Sequence, residues 1–260
     1  MLTDALAEKL SRGLLEAERT RTPIPPLSDS HPDLTEQDSY RIQDALIAAK
    51  GESLVGYKLG FTSEAMREQM GISDPNYGQL TRAMWVDAGP IELSELIHPR
   101  VEPEVALLVE RELSGPGLTR TRVYPAVRWA FGALEVVDSR YQDYRFLAAD
   151  NTADNSSAAR FVLGSSIPLA TVPDLRLVGV VLWHGGEVVD TGVGANAMGD
   201  PIRTVVWLAN RLGEAGKILE EGSMVLTGGL TRARPVGEGG TFVAEFGGLG
   251  MVKAHFGGEG

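Results

Sequence analysis

Apolar residues recur along this chain with two different periods, and the change of period divides it. Over residues 3–20, Leu6, Leu10, Leu14 and Ala17 fall on one stripe at helical spacing, and Thr3 stands where a cap would start the helix. Arg21-Thr-Pro-Ile-Pro-Pro-Leu27 ends that pattern, because proline fixes φ and removes a donor. A second helix is predicted from Thr35. Thr35-Glu-Gln-Asp38 resembles a capping box with Asp in place of the preferred Glu or Gln, Tyr40, Ile42, Ala45, Leu46 and Ala49 follow, and Gly51 closes it. From residue 53 the texture becomes that of strands. Residues 53–60 read as a strand, 63–70 as a short helix and Asp74-Pro-Asn-Tyr-Gly78 as the end of a loop. Residues 101–110 read as a strand, 124–131 as a helix and 133–137 as a strand. Residues 175–183 and 187–191 pair as a hairpin across Gly185-Gly186, 202–212 form a helix, and 241–246 with 250–256 form a last hairpin broken at Gly247-Gly248. Helices first and strands afterwards predict an α+β fold. The absence of strict alternation argues against a doubly wound parallel sheet.

Composition narrows the function classes. A chain of 260 residues suits one large domain, or one with an appendage, and can bury a sizeable core. The formal charge of −11 excludes the basic surface that nucleic acid or an anionic membrane requires, while leaving room for a local site for a small anion. There are no cysteines, no signal-peptide pattern and no apolar run long enough to span a membrane, so a cytoplasmic protein is expected. No GxxxxGK[ST] cradle occurs, and the glycines near 192–199 do not follow a strand as a dinucleotide fingerprint would.

The candidate chemistry lies in acids and one lysine set among apolar residues. Glu102 and Glu104 interrupt a strand, and residues two apart on a strand share a face. Their carboxylates then stand about 6–7 Å apart, with a repulsion of about 2–3 kcal/mol at an effective dielectric near 20. Something cationic should lie between them. A hard divalent metal fits, and so does a surface pairing with Arg100, which is the commoner fate of a bare Glu-x-Glu. Pro103 between them cannot donate, which marks an edge, a bulge or a strand end. Glu135 is a lone acid in Phe131-Gly-Ala-Leu-Glu-Val-Val137, either facing solvent or supplying a third oxygen ligand. Three carboxylates suit Mg²⁺ or Mn²⁺, and no histidine joins them in the manner of a zinc site. Lys58, in Val55-Gly-Tyr-Lys-Leu-Gly-Phe61, either snorkels to water or faces a polar cavity. Asp150-Asn-Thr-Ala-Asp-Asn-Ser-Ser-Ala-Ala-Arg160 reads equally as a capped turn or a binding loop.

Taken in order along the chain, Gly56-Tyr-Lys-Leu-Gly-Phe-Thr-Ser63, Pro99-Arg-Val-Glu-Pro-Glu-Val105, Leu134-Glu-Val-Val-Asp-Ser-Arg140, Ala153-Asp-Asn-Ser-Ser157, Gly192-Val-Gly-Ala-Asn-Ala-Met-Gly-Asp-Pro201 and Leu226-Thr-Gly-Gly-Leu-Thr231 resemble the hydratase/decarboxylase branch of the fumarylacetoacetate hydrolase superfamily. The resemblance implies an N-terminal helical/αβ region over 1–80 and a catalytic domain over 81–260, built as a β-rich roll of the fumarylacetoacetate hydrolase C-terminal type. It implies metal ligands Glu102, Glu104 and Glu135, a catalytic Lys58, and substrate contacts from Thr62, Ser63, Asn76, Asn155, Ser157 and Thr231. It further implies Mg²⁺ or Mn²⁺ as cofactor, a small anionic 2-oxo acid as substrate, and a homo-oligomer that a companion hydratase or decarboxylase joins. Ile97-His-Pro-Arg-Val-Glu102 and Tyr144-Arg-Phe146 look like decarboxylases, whereas Gly56-Tyr-Lys-Leu-Gly60 looks like hydratases. Hydratases commonly carry an acid where this chain has Asn76, and the expectation leans to decarboxylation. An acylpyruvate-type hydrolase would need a His-Glu pair that the sequence lacks. A catalytically silent partner subunit would not need Glu102, Glu104, Glu135 and Lys58.

Overall fold

The structure is a computed structural model and describes residues 2–257. The strands among them are β1 Leu54–Gly60, β2 Asn76–Thr81, β3 Ile91–Glu92, β4 Arg100–Val109, β5 Val127–Val137, β6 Ala158–Leu163, β7 Ile167–Pro168, β8 Gly179–His184, β9 Glu187–Val193, β10 Met224–Leu226, β11 Arg234–Pro235, β12 Gly240–Phe246 and β13 Gly250–Gly257. They build two sheets. The larger runs β2-β1-β10-β4-β5-β6, with β11 added to β4 and β7 to β5; the smaller runs β3-β13-β12-β8-β9. The fold is α+β: the helices Asp4–Thr20 and Glu36–Lys50 precede the two sheets, and further helices, the longest Pro201–Glu214, are set between strands. Because β1 and β2 hydrogen-bond into the same sheet as β10 and β4, residues on either side of position 80 share one sheet.

Alternation along β4 and β5 gives the large sheet two unlike faces. Val101, Val105, Leu107 and Val109 of β4, with Leu134 and Val136 of β5, enter a core shared with Phe242, Ala244, Val252 and Ala254 of the small sheet. The approach is close: a Cβ at Gly132 would lie 2.5 Å from the Phe246 ring. Helix Pro201–Glu214 closes this core with Ile202, Val205, Leu208 and Leu212. Each such fully buried side chain contributes about 1.5–3 kcal/mol. The opposite face carries Glu102, Glu104 and Glu135, with Lys58 of β1, beside a smaller apolar cluster of Leu80, Ala106, Ala133, Phe161 and Leu226.

The N-terminal helices support that second face. Helix Asp4–Thr20 buries Leu10 and Leu14 against Ile42 and Leu46 of helix Glu36–Lys50. Thr35 and Asp38 form a reciprocal capping box, so the shorter acid suffices there. From the second helix, Gln43 Nε2 donates to the Tyr77 carbonyl at 2.9 Å and the Thr152 carbonyl at 2.8 Å. Those bonds tie β2 to helix Ala148–Ala153.

Three sequence expectations change. Residues 124–131 are not a helix: a short turn, Tyr124–Ala126, leads into β5 at Val127. Pro125 suits a first helical turn, but Val127, Trp129 and Phe131 are β-branched or aromatic, and pairing along β4 (Leu108 with Trp129, Ala106 with Phe131) outweighs local preference. Asn76-Tyr-Gly78 is the start of β2 and not loop, because it pairs with residues 58–60 of β1. Leu175–Leu177 is a helical turn, and the hairpin strand starts at Gly179.

Candidate metal centre and substrate cavity

Register brings the three glutamates together. Glu102 and Glu135 are direct cross-strand partners, and Glu104, opposite Ala133, shares their face. One oxygen from each lies within 4.8 Å of the others. Pro103 is no edge residue. It sits where β4 has β5 on one side and, on the other, the gap between β10, which ends opposite Ala106, and β11, which starts opposite Val101. The segment 227–233 bridges that gap. Thr227 N donates to the Val105 carbonyl at 3.1 Å and Leu230 N to the Pro103 carbonyl at 2.9 Å, so Pro103 accepts where it cannot donate. The same segment covers the acids. Gly228 N donates to Glu104 Oε2 at 2.7 Å, and a Cβ on Gly229 would stand 2.2 Å from Glu102 Oε2. Gly228 has φ +102°, which only glycine adopts without strain.

Lys58 does not snorkel. It is 4% exposed, and its Nζ lies 3.2 Å from Glu135 Oε2 while donating to Ser156 O at 3.1 Å and Ser156 Oγ at 3.3 Å. Burial lowers the ammonium's pKa, but the carboxylates of Glu135, Glu102 and Glu104 outweigh it and leave the pKa raised. Burial pushes Glu102 up to about 7, with Lys58 opposing and Glu135 adding to the rise. Burial, and then the Glu135 charge, drive Glu104 well above the usual carboxylate range. These shifts describe a site short of positive charge. With all three carboxylates ionised, the one ammonium leaves two negative charges, which a divalent ion cancels. Glu104 Oε1 and Glu135 Oε1 are buried without a hydrogen-bond partner, at a cost of about 1–3 kcal/mol each, and Glu135 Oε2 has only the Lys58 ammonium, 3.2 Å away. The donor set, all oxygen and without histidine, fits a hard cation.

Above the acids lies a cavity of about 390 Å³. Lys58, Thr62, Ser63, Glu102, Ser157 and Thr231 line it, joined by Arg100, Tyr144, Phe146, Asn151 and Ser156, which no motif in the sequence marks as site residues. Asn76 and Asn155 are placed behind the wall. Asn76 Nδ2 donates to Asn151 Oδ1 and Thr152 Oγ1, each at 2.9 Å, and its Oδ1 accepts from Ser156 Oγ at 3.0 Å. Asn155 clamps the Gln79 backbone through both side-chain atoms. The turn they support is strained: Asn155, Ser156 and Ser157 have φ of 52°, 51° and 58° in succession. Left-handed non-glycine residues cost about 1–3 kcal/mol each and cluster at functional sites. A buried ion pair behind the turn, Arg140 with Asp154, holds it in place. His98 is structural, its ring bonded to the Ser139 carbonyl and packed on Tyr144.

A β-rich roll with a three-carboxylate centre beneath a small cavity defines a metal-binding enzyme class, and the sequence relationships are of the same kind. Residues 60–256 match the fumarylacetoacetate (FAA) hydrolase C-terminal family, and the chain belongs to that family. It is 38% identical over 256 residues to a 4-oxalocrotonate decarboxylase of Pseudomonas sp. (strain CF600), covering 97% of this chain and 96% of that one. It is also 38% identical over 260 residues to a 2-keto-4-pentenoate hydratase of Paraburkholderia phymatum, covering 98% and 99%. The 4-oxalocrotonate decarboxylase from Pseudomonas putida G7, complexed with magnesium and adipate, superposes with a TM-score of 0.95 at 37% identity over 98% of this chain and 99% of that one. No helix among the described residues is long and apolar enough to cross a membrane.

Proposed function

We propose that the protein is a divalent-metal-dependent lyase acting on 2-oxo or 2-hydroxydienoic acids, and that its reaction is decarboxylation of a 4-oxalocrotonate-type acid. The observation that carries this reading is the trio of Glu102, Glu104 and Glu135, one oxygen of each within 4.8 Å of the others, beneath a cavity that also holds Lys58. Glu102, Glu104 and Glu135 hold Mg²⁺ or Mn²⁺ in this reading. When bound, the ion supplies a Lewis acid for the C1 carboxylate and C2 oxygen of the substrate. The relative from Pseudomonas putida G7, with its magnesium and its six-carbon dicarboxylate, supports both the ion and the substrate class.

The chain's own groups do the rest. The bond to the distal carboxylate breaks, its electron pair passes through the adjacent alkene to the 2-oxo oxygen, carbon dioxide leaves, and one proton completes the 2-hydroxydienoic product. Lys58 steadies the developing negative charge and can give that proton. Glu135 and Ser156 aim its Nζ, so the group needs no reorganisation during reaction. Thr62, Ser63, Ser157 and Thr231 contact the acid, while Asn76 and Asn155 brace the turn from behind. Phe146 and Val137 give the carbon chain an apolar wall.

Hydration of 2-hydroxypentadienoate is the second reading, favoured by the equal identity to the hydratase. It needs a proton donor at the far end of the diene. Asn76 is an amide with its hydrogen bonds filled, and among the described residues the cavity wall carries no acid except Glu102. That favours decarboxylation. Supplying 2-oxo-3-hexenedioate (the keto tautomer of 2-hydroxymuconate) and 2-hydroxypentadienoate separately with Mg²⁺, and following carbon dioxide and dienol absorbance, tests the choice. Carbon dioxide from the first is expected; turnover of the second without it reverses the order. The same proposal puts the enzyme in the cytoplasm as a homo-oligomer with a companion hydratase, which light scattering and co-purification measure.

A further inference from the structure

Arg100 is the cationic residue of the cavity wall that the chemistry above leaves without a task. It precedes Glu102 and Glu104 at even spacing on β4, so its side chain leaves the same face of the sheet. It does so one pleat, about 6–7 Å, beyond Glu102. Its guanidinium carbon lies 3.7 Å from the centroid of the Tyr144 ring. That ring is itself fixed, by a hydrogen bond from its hydroxyl to the Val137 carbonyl at 3.0 Å and by His98 packed at 4.6 Å. Arg100 is half-buried, and among the described residues its guanidinium donates no hydrogen bond and has no carboxylate within ion-pair distance. The other arginine on this wall, Arg232, differs: it is mostly exposed and lies 3.7 Å from Asp190. A guanidinium carries five donors in a fork that matches a carboxylate, and stacking on an aromatic ring orients that fork before any ligand arrives.

We propose that Arg100, stacked on Tyr144, receives the distal carboxylate of a dicarboxylic 2-oxo acid whose 2-oxo end lies at the glutamates, and so sets a preference for dicarboxylic over monocarboxylic acids. This rests on the proposed function for the glutamate end and adds the specificity at the other end. On the strand Arg100 stands one pleat, about 6–7 Å, from Glu102, which is of the order of the span of a six-carbon dicarboxylate. Arg100 is a recognition and alignment residue. A carboxylate that leaves as carbon dioxide sheds its charge, so a clamp on it favours bound substrate at least as much as the transition state. Loss of the clamp therefore raises KM more than it lowers kcat.

The test is titration calorimetry on the full chain, freed of metal by a chelator and reloaded with Mg²⁺, using 2-oxoadipate and 2-oxohexanoate, which differ only at the terminal carboxylate. The wild type is expected to bind 2-oxoadipate about 10–100-fold more tightly. Arg100→Gln is expected to erase that preference while holding 2-oxohexanoate affinity within about threefold of wild type, which also shows that the variant is folded. Arg100→Lys, with charge but no fork, should keep part of the preference. Equal weakening of both ligands by Arg100→Gln, or a wild type without preference, overturns the inference and leaves the metal site standing. A wild type that binds neither ligand in the presence of Mg²⁺ removes the underlying reading, and this one with it.

Discussion

Replacing Glu104 by Gln separates the charge of the centre from its shape. The residue is 0% exposed, its Oε2 accepts from Gly228 N, and its Oε1 has no partner. Glutamine keeps the volume and an acceptor for Gly228. It removes one member of a carboxylate trio whose oxygens lie within 4.8 Å of each other. At an effective dielectric of about 20, each pair at that distance repels by about 3 kcal/mol when both are ionised. Part of this is already relieved in the metal-free protein, because burial and neighbouring charge raise the pKa values of Glu102 and Glu104. The metal-free variant is therefore expected to be as stable as wild type or about 1–3 kcal/mol more stable, with a Tm up to several degrees higher. The response to Mg²⁺ goes the other way. An ion at 100 times its Kd stabilises a protein by about 2.7 kcal/mol. Loss of a direct ligand should weaken binding by at least the roughly 100-fold seen when an outer partner is lost. At the same Mg²⁺ concentration the variant then gains only about 0.4 kcal/mol. Thermal unfolding of chelator-treated protein, with and without Mg²⁺, reads both effects, and turnover should be abolished. A variant that keeps the wild-type Mg²⁺ shift, or that turns over normally, would refute the assignment.

Further expectations follow from neighbouring contacts. The Glu102 carboxyl, with a folded pKa of about 7 against an ordinary 4.5, holds a proton through that window which the unfolded chain releases. Its effect on metal-free stability is thus a loss as pH rises from 4.5 to 7, and the ion must displace that proton, so the Mg²⁺-induced rise in Tm should be larger at pH 8 than at pH 6; a larger rise at pH 6 contradicts the sign. Gly229→Ala puts a Cβ 2.2 Å from Glu102 Oε2, and calorimetry should show Mg²⁺ affinity lowered at least tenfold with little change in metal-free Tm. Asp154→Ala strands Arg140 in the core without its carboxylate and should cost about 3–5 kcal/mol in urea unfolding, far more than an exposed pair such as Arg145 with Asp29. Thr35→Ala removes the cap of helix Glu36–Lys50 and should cost about 1 kcal/mol by the same measurement.

Local signals made much of this legible. The helices at each end of Pro23–Pro26 were readable because caps and stripes coincide: Thr3, Thr35 and Gly51 act where the pattern places them. The paired glutamates were readable as a charge problem, since the period of a strand alone puts Glu102 and Glu104 on one face. That Glu135 joins them depends on cross-strand register, which no residue in its own segment specifies. β5 was misread at its start because Trp129-Ala-Phe131 fits a helix as well as a strand until β4 lies beside it. The cover over the acids was least visible. Gly228 and Gly229 look like turn residues, and only the gap between β10 and β11 turns them into a roof. Arg100 acts on the glutamates only through its field, which opposes the rise at Glu102 without an ion pair, and its even spacing from them marks it as a cavity residue. Ser156 was hidden behind Ser157, because it is the strained turn, and not the sequence, that points its carbonyl at Lys58.

The most direct measurement is the carbon dioxide released per 2-oxo-3-hexenedioate, the keto tautomer of 2-hydroxymuconate, consumed by the purified protein, with Mg²⁺ and again after chelation. Release mole for mole with Mg²⁺, none after chelation and recovery on restoring the ion is the expected result. Undiminished turnover in chelator, or no turnover of this acid or of 2-hydroxypentadienoate with the ion present, would contradict a lyase built on Glu102, Glu104 and Glu135.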